Sequence, residues 1–257
     1  MATWILLRGL MHETRHWGEF PAAMCAQFPQ DAVVSLDLPG NGRLHRSSSP
    51  LGIEQMAEHC RAELGARGMA PPYHLLGLSM GAMVAVAWGS LHPQEVRACV
   101  LINTSLRNFD PLHRRMRPSA YPGVLKLFVG GAVPQERAIL RLVSCRGDAQ
   151  PAILDAWVAY RRECPVSLRN ALRQLVAAGL YRAPALGPAM PVLVLVSEKD
   201  GLVNPCCSRH IAARWGSSLA IHPTAGHDLP LDDASWVTRQ IRDWLGNRLA
   251  TRLPSGD

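Results

Sequence analysis

The stretch Gly77-Leu78-Ser79-Met80-Gly81 decides how this chain of 257 residues folds. It follows the apolar run Tyr73-His74-Leu75-Leu76 and precedes the small-residue stretch 82–88, which predicts a strand, a sharp turn and a helix in that order. A serine on such a turn takes a strained backbone conformation. The glycines on either side are needed because a Cβ there would collide with the neighbouring strand and helix. The turn lifts the Ser79 hydroxyl out of the sheet, beside the free N–H groups of the helix start, so Ser79 is the candidate nucleophile.

The rest of the chain alternates short apolar runs with helical patterns. This alternation predicts a parallel sheet with helices on both faces, since a sheet covered on both sides requires strands that are hydrophobic almost throughout. Strands are predicted at residues 4–7, 32–38, 73–78, 98–102, 192–196 and 219–222. Helices are predicted at residues 16–28, 53–67, 81–91, 206–215 and 234–249. The expected class is α/β, with a mostly parallel sheet of about six strands flanked by helices.

One long segment shows no strand signal. Between residues 104 and 189, helical stretches punctuated by prolines follow one another, and we predict an inserted helical lid there. Its helices are predicted at residues 123–129, 134–144, 151–163 and 167–180. The expected organisation is a core of residues 1–103 and 190–250, a lid of residues 104–189 and a flexible tail at 251–257.

A serine hydroxyl needs a base within hydrogen-bond reach, and His227 is placed to supply it. This histidine lies in Thr224-Ala225-Gly226-His227-Asp228, after the last predicted strand and before the last helix. Loops at the carboxyl ends of parallel strands converge on one edge of an open sheet. We therefore predict that His227 meets Ser79 at that edge and acts as its general base.

The base needs a carboxylate to orient it, and the loop after the next-to-last strand carries two. Asp200 is preferred over Glu198 because the glycine that follows it lets the turn aim a carboxylate, whereas Glu198 lies nearer the strand end. Asp110, which follows the fourth predicted strand, is the alternative acid. The order Ser79, Asp200, His227 is the order of nucleophile, acid and base found with a Gly-x-Ser-x-Gly turn.

A developing oxyanion needs two N–H donors. One donor is predicted to be the backbone N–H of Met80, which follows the nucleophile at the helix start. The other is expected in the loop after the first strand, where Gly9 allows a tight turn and leaves the N–H of Leu10 as the natural donor.

These motifs resemble the α/β-hydrolase fold family, and the likeness spans residues 4 to about 245. The matching pieces are Leu6-Leu7-Arg8-Gly9 with Trp17 downstream, Asp37-Leu38-Pro39-Gly40-Asn41-Gly42, Gly77-Leu78-Ser79-Met80-Gly81, Asp200-Gly201-Leu202-Val203 and Gly226-His227. In layout the chain is similar to the small, lidded bacterial esterases, such as the carboxylesterases that cleave pimeloyl-carrier-protein methyl esters. The resemblance implies a serine hydrolase that cleaves a small-molecule carboxylic ester or thioester through a Ser-His-Asp triad and an acyl-enzyme, without metal or cofactor. An acyl carrier protein is the further partner that it suggests.

Two features depart from that family. Arg8 stands where a histidine usually precedes the oxyanion-loop glycine. Arg8 is expected either to reshape the pocket or contact an acidic substrate group, or to pack its stem and reach solvent. The chain also begins with the first predicted strand, whereas family members often have two more strands before it.

Two other classes of function remain open on this sequence. Lyases and cofactor-free peroxidases of the same fold use the same triad, and a ligand-binding module with slow turnover would keep it as well. The residues considered for substrate contact are Arg8, Trp17, Met116, Phe128 and Trp157. Arg107, Arg114, Arg115 and Arg117 cluster at the start of the predicted lid and form either a solvated face or a docking patch for an acidic carrier or a carboxylate.

Composition limits the remaining classes. The net charge is +7, but the arginines are spread along the chain without a basic block, which favours a solvated basic surface over nucleic-acid binding. No apolar run approaches the roughly 20 residues of a membrane span. The first residues lack the basic region of a signal peptide. We expect a monomer or a homodimer.

The seven cysteines are odd in number and scattered, with no Cys-x-x-Cys spacing. Without an export signal, reduced thiols and a cytoplasmic protein are expected. Cys206 and Cys207 are adjacent, but no histidine or cysteine partner is recognised at ligand spacing, so the expectation is packing at a helix start and no metal site.

Overall fold

The computed structural model describes residues 1–126, 130–146 and 151–250. Within these residues one sheet forms, with the strand order β2-β1-β3-β4-β5-β6, and every pairing is parallel. The strands are β1 (Thr3–Leu7), β2 (Ala32–Leu36), β3 (Tyr73–Leu78), β4 (Val96–Ile102), β5 (Val192–Ser197) and β6 (Ser218–His222). This confirms the predicted six-stranded α/β class; the second strand ends two residues earlier than predicted.

Burial explains the strand sequences. β3 lies between β1 and β4, and β5 is buried along its whole length, so these strands need apolar side chains on both faces. The edge strands β2 and β6 are more exposed. Because all strands are parallel, their carboxyl ends and the loops that follow lie along one edge.

Helices cover both faces of the sheet. On one face, α2, α3 and α9 pack with the sheet in one buried cluster, and on the other face α1 and α11 form a second cluster. The helices are α1 (Phe20–Gln27), α2 (Ile53–Ala66), α3 (Met80–Leu91), α4 (Leu112–Arg115), α5 (Tyr121–Lys126), α6 (Ala132–Val143), α7 (Pro151–Glu163), α8 (Leu168–Leu180), α9 (Pro205–Trp215), α10 (Leu229–Asp232) and α11 (Ala234–Ala250). Nearly every residue of α3 is buried, which explains its uniformly apolar, small-residue sequence.

The segment between β4 and β5, residues 103–191, is the helical insertion. Its described part holds α4 to α8 and no strand. Helices α6, α7 and α8 share a third buried cluster with Met11, a residue of the loop after β1. The helical insertion therefore packs directly on the loop predicted to bind the oxyanion. The predicted tail at 251–257 lies outside the described residues.

All seven cysteines are free thiols. Among the residues described, no helix combines the length and the apolar character needed to cross a membrane.

Candidate active site

The serine turn is fixed by close backbone contacts. Ser79, between β3 and α3, has φ of 57° and ψ of −117°, a conformation that L-residues rarely adopt. A Cβ on Gly77 would lie 2.4 Å from the backbone of Gly81. A Cβ on Gly81 would lie 2.1 Å from the carbonyl oxygen of Leu7. Both positions therefore accept only glycine, and the turn is pressed against the end of β1.

The backbone of Ser79 is also held by the chain at the end of β4. Its N–H donates to the carbonyl oxygen of Ile102 at 2.9 Å. Its own carbonyl oxygen accepts a hydrogen bond from Oγ1 of Thr104 at 2.8 Å. Sequence reasoning missed Thr104, since a hydroxyl that reaches the backbone of another strand leaves no local pattern.

The structure brings His227 and Asp200 together. Nδ1 of His227 lies 2.8 Å from Oδ2 of Asp200, and the two side chains are 4% and 2% exposed. The other carboxylate oxygen, Oδ1, accepts the backbone N–H groups of Leu202 and Val203 at 2.8 and 2.9 Å. The turn thus holds one oxygen of Asp200 and leaves the other for the imidazole. With its proton on Nδ1, His227 keeps Nε2 free to act as a base.

The loop that carries His227 is positioned by Asn103, which follows β4 and has φ of 46°. Its Oδ1 accepts the N–H of Ser197 at 2.8 Å, and its Nδ2 donates to Oγ of Ser197 at 2.9 Å and to the carbonyl oxygen of His227 at 2.7 Å. One buried amide therefore ties the ends of β4 and β5 to the histidine loop. No sequence pattern indicated this role.

The two other carboxylates considered as acids have different partners. Oδ1 of Asp110 lies 2.8 Å from Nδ1 of His210, and Glu198 pairs with Arg209 at the surface. Neither contacts His227. Geometry thus favours Asp200, the acid that the turn chemistry predicts.

The two predicted oxyanion donors lie on the same cavity as the serine. Met80 is the first residue of α3, so its N–H has no acceptor within the helix. A Cβ on Gly9 would lie 3.2 Å from Cβ of Ser79, which shows how closely the loop after β1 approaches the turn. Leu10 and Met80 line the cavity together with Ser79.

The helical insertion anchors this oxyanion loop. Met11 has φ of 60°, and its N–H donates to Oε1 of Gln174 in α8 at 2.9 Å. Nε2 of Gln174 donates to Oδ1 of Asn41 at 2.8 Å and to Oγ of Ser49 at 3.0 Å. This fully buried glutamine was not found by sequence reasoning, because its partners come from distant loops.

A cavity of about 470 Å³ opens at the serine turn. One side consists of Ser79, His227 and the oxyanion loop, and the other side is almost entirely apolar. The apolar residues supplied by the helical insertion are Leu112, Met116, Tyr121, Val124, Ile139, Leu142, Val143, Leu172, Leu175, Val176 and Ala178. Such a wall suits an apolar group attached to a reacting centre at the serine turn.

Arg8 lines the cavity but does not reach solvent. It is 1% exposed, its guanidinium forms a two-point ion pair with Asp228, and it lies over the ring of Trp17. The expectation of a solvated arginine is therefore wrong. Burial by itself raises the pKa of Asp228, but the charge and hydrogen bonds of Arg8 outweigh burial and hold that pKa below its usual value. The pair adds no net charge to the cavity.

The other predicted substrate contacts have different outcomes. Met116 lines the cavity. Trp17 is buried beneath Arg8, and Trp157 is buried in the cluster of the helical insertion, so neither belongs to the cavity wall. Phe128 lies outside the described residues. At both of these tryptophan positions the side chain packs in the core. The sequence alone does not distinguish a tryptophan in the core from one that contacts a ligand.

The arginine cluster at the start of the helical insertion divides into two kinds. Arg107 and Arg114 are exposed, as a solvated face requires, and Arg117 is half-buried. Arg115 is 8% exposed, lines the cavity and donates to the carbonyl oxygens of Ala178 and Gly179 at the end of α8. Burial lowers the pKa of Arg115. The expectation of a uniformly solvated face is wrong at this residue.

Two buried histidines lie where the oxyanion loop meets the helical insertion. The ring centroid of His12 is 4.5 Å from that of His16 and 5.2 Å from that of Trp157. Nδ1 of His12 donates to the carbonyl oxygen of Leu10 at 3.0 Å. Burial, with the charge of Arg8, lowers the pKa of His12 to about 3. Burial also holds the pKa of His16 well below its ordinary value. Both rings are neutral near pH 7.

The six-stranded parallel sheet and the serine turn at its carboxyl edge are features of α/β hydrolases, and a comparison with protein families agrees with this class. The pattern of the alpha/beta hydrolase family matches residues 4–240, and the chain belongs to that family. This confirms the resemblance seen in the sequence.

Two relatives extend the comparison. The pimeloyl-[acyl-carrier protein] methyl ester esterase of Citrobacter koseri is 27% identical over 227 residues, which are 83% of this chain and 82% of that protein. The polyketide synthase ThaQ of Burkholderia thailandensis is 29% identical over 203 residues, which are 76% of this chain. The match covers 10% of ThaQ, so this chain corresponds to a small part of that protein.

A solved structure shows the same fold. The enol-lactonase of Burkholderia xenovorans superposes with a TM-score of 0.78 at 20% identity, over 95% of this chain and 91% of that one.

Proposed function

We propose that the protein is a serine hydrolase that cleaves a carboxylic ester or thioester, with Ser79 as nucleophile, His227 as base and Asp200 as the group that orients the base. The observation that carries this proposal is the 2.8 Å contact between Nδ1 of His227 and Oδ2 of Asp200, beside the cavity that His227 shares with Ser79. Membership of the alpha/beta hydrolase family supports hydrolysis, and the relative that is a methyl ester esterase supports an ester bond.

The proposed reaction has two halves. Nε2 of His227 takes the hydroxyl proton as Oγ of Ser79 attacks the carbonyl carbon, and the Asp200 carboxylate stabilises the imidazolium through Nδ1. The tetrahedral intermediate collapses, the bond to the leaving oxygen or sulfur breaks, and His227 gives that atom the proton. Water then attacks the acyl-serine while His227 removes its proton. The second collapse releases the acid and returns the proton to Ser79.

The oxyanion of both intermediates would be bound by the N–H groups of Leu10 and Met80. The strained turn directs the N–H at the start of α3 toward the reacting centre, and the close approach of Gly9 brings the second donor loop alongside. Fixed donors of this kind need no reorganisation during the reaction, and removing one typically costs about 10²-fold or more in kcat.

The acyl side of the substrate is proposed to be apolar and uncharged. The wall supplied by the helical insertion is apolar except at Arg115, whose guanidinium donates to backbone carbonyl oxygens at the end of α8, and Asp228 already neutralises Arg8. In this proposal the helical insertion is the lid that shields the acyl chain from water. A thioester carried by an acyl carrier protein is the proposed larger substrate, supported by the exposed charges of Arg107 and Arg114 and by the acyl-carrier-protein ester of the Citrobacter relative.

The test is an acyl-chain-length series of p-nitrophenyl esters and matching thioesters, measured with wild type and Ser79→Ala, together with labelling by a fluorophosphonate. We expect turnover and covalent labelling in wild type, and loss of both in Ser79→Ala. Undiminished ester turnover by folded Ser79→Ala would refute the assignment. A labelled serine without turnover of any ester or thioester would favour the lyase, peroxidase or ligand-binding alternatives.

A further inference from the structure

A second cluster of reactive side chains lies where the helical insertion leaves the sheet, outside the cavity wall. A carboxylate oxygen of Asp110 and the sulfur atoms of Cys206 and Cys207 all lie within 4.8 Å of one another. Asp110 precedes α4, and the two cysteines lie in the first turn of α9. Over residues 1–126, 130–146 and 151–250, no other three His, Cys, Asp or Glu side chains are grouped so that they could hold a metal ion.

We propose that Asp110, Cys206 and Cys207 bind one divalent ion of the zinc group, Zn²⁺ or Cd²⁺. Two thiolates and a carboxylate are donors that zinc accepts, and thiolates select such metals over Mg²⁺ or Ca²⁺. A zinc–sulfur distance of about 2.3 Å in a tetrahedron separates two sulfur ligands by about 3.8 Å. The present donor separations, all within 4.8 Å, therefore differ from this ligand spacing by about 1 Å at most.

The carboxylate of Asp110 provides separate evidence that this cluster binds a ligand. The residue is 3% exposed, and Oδ2 is buried without a hydrogen-bond partner among the described residues outside the cluster, within which the Cys207 thiol faces the carboxylate. Oδ1 lies 2.8 Å from Nδ1 of His210 and 3.8 Å from Nη1 of Arg114, so both of these neighbours contact the other oxygen. A buried carboxylate oxygen left without a partner is costly, and a metal ion would satisfy it.

The surroundings suit an ion that enters from solvent. Cys207 is fully buried, whereas Cys206 and His210 are partly exposed and leave a path to the thiols. The hydrogen bond from His210 fixes the orientation of Asp110, as partners behind a metal ligand commonly do. Three protein ligands leave a fourth position for water.

The sequence predicted a packing role for the paired cysteines because no histidine or cysteine was recognised at ligand spacing. The third donor of the cluster is instead a carboxylate, which precedes α4. The segments that carry these donors are already joined by backbone hydrogen bonds. The N–H of Asn204 donates to the carbonyl oxygen of Arg114 at 3.0 Å, and the N–H of Arg117 donates to that of Leu202 at 2.8 Å. An ion would add a cross-link between the start of the helical insertion and α9.

The test is a titration of the reduced, full-length protein with Cd²⁺, followed by the ultraviolet charge-transfer absorption of thiolate–cadmium bonds, and with Zn²⁺ in competition with a chromophoric chelator. We expect one ion per chain. The Cys206→Ser/Cys207→Ser double variant is expected to lose the absorption, and Asp110→Asn to weaken Zn²⁺ binding about tenfold or more. Cys25→Ser/Cys145→Ser, which removes two exposed thiols, is the matched control and is expected to bind as wild type does.

Stability supplies a readout that does not depend on catalysis. Zn²⁺ at a hundredfold excess over its Kd is expected to raise the Tm of wild type by on the order of 5 °C and to leave the Tm of the double variant unchanged. The opposing explanation is that the cluster only shares the thiol proton of Cys207 with Asp110. Metal binding of equal strength in wild type and the Cys206→Ser/Cys207→Ser variant, or no binding to wild type at micromolar metal, would establish that explanation and overturn the proposal.

Discussion

The carboxyl edge of the sheet and the helical insertion face each other across one cavity, but they are held in different ways. At the edge, Ser79 is fixed by glycine contacts and two backbone hydrogen bonds, and Asp200 and His227 are fixed by their own turn and by Asn103. The opposite wall consists of apolar side chains from four stretches of the insertion, at α4, α5, α6 and α8. Hydrogen bonds define one geometry, whereas apolar packing accepts other side chains of similar volume.

This difference predicts two kinds of mutant. Changes at the sheet edge should lower the rate with every substrate, because in the proposed mechanism they remove groups that act on the reacting atoms. Changes in the apolar wall should alter which substrate is preferred and leave the chemistry intact. The largest expected effects therefore lie at the edge and the smallest at the wall.

Ser79→Ala should have the largest effect. Without the proposed nucleophile no acyl-enzyme would form, and we expect kcat/KM to fall by about 10⁴-fold or more for esters of every chain length. Steady-state kinetics on the p-nitrophenyl series measures this. Ser90→Ala, at the other end of α3, is the control and should keep wild-type rates. A loss confined to long-chain esters would contradict the comparison.

Asp200→Asn should come next. The amide cannot hold the proton of His227 on Nδ1 as the carboxylate does, so we expect kcat to fall by about 10⁴-fold with little change in KM. Glu198→Gln, in the same loop but paired with Arg209, should stay within about twofold of wild type, the range expected for a surface pair. Equal losses in both variants would mean that the loop is disturbed and that Asp200 has no special role.

The sequence predicted the edge better than the wall for a physical reason. Local features indicate the serine turn, Asp200 and His227. These features are glycines at fixed offsets and loops that follow strands. Asn103, Thr104 and Gln174 hold those groups through bonds to distant segments, and no local pattern marks them. At the wall, the sequence predicted helices but not the neighbours they pack against.

The pair Arg8–Asp228 should contribute to stability more than to selectivity. Asp228→Asn leaves a buried guanidinium without its counter-ion, and we expect the free energy of unfolding to fall by about 3 kcal/mol in urea denaturation at pH 7. The double variant Arg8→Met/Asp228→Leu should recover most of that loss, because an apolar pair removes the unpaired charge. A double variant as unstable as the sum of its single variants would show that the two residues act independently.

The packing between the sheet edge and the helical insertion should become less stable in acid because of His12. Its pKa is about 3 in the folded chain, against the ordinary histidine value of 6.5 in the unfolded chain, so between these values only the unfolded chain takes up the proton. The free energy of unfolding should therefore fall as pH falls from about 6.5 towards 3, by about 1.4 kcal/mol per pH unit for this residue. His16 acts in the same direction, whereas the stabilisation from Asp228 is lost only at lower pH, below the usual range of a carboxyl group.

Urea denaturation at several pH values measures this dependence. His12→Asn should flatten it, and His113→Asn, a change at an exposed histidine, should leave it as in wild type. An identical pH dependence in wild type and His12→Asn would mean that His12 takes up its proton without unfolding.

The smallest and most selective effect should come from the wall. Val176 lines the cavity from α8 and is 44% exposed, so Val176→Phe narrows the acyl site at little cost in stability. Each methylene that loses its apolar contact costs about 0.8 kcal/mol, which corresponds to about a fourfold loss of kcat/KM per carbon for the longer chains. The shortest ester should react as in wild type, because its acyl group does not reach the wall. Val133→Phe, on α6 but outside the cavity, should leave the whole series unchanged. If Val176→Phe instead lowered kcat/KM equally at all chain lengths, its side chain would contact the reacting centre. The sheet edge would then no longer control the rate alone, nor the wall the substrate preference alone.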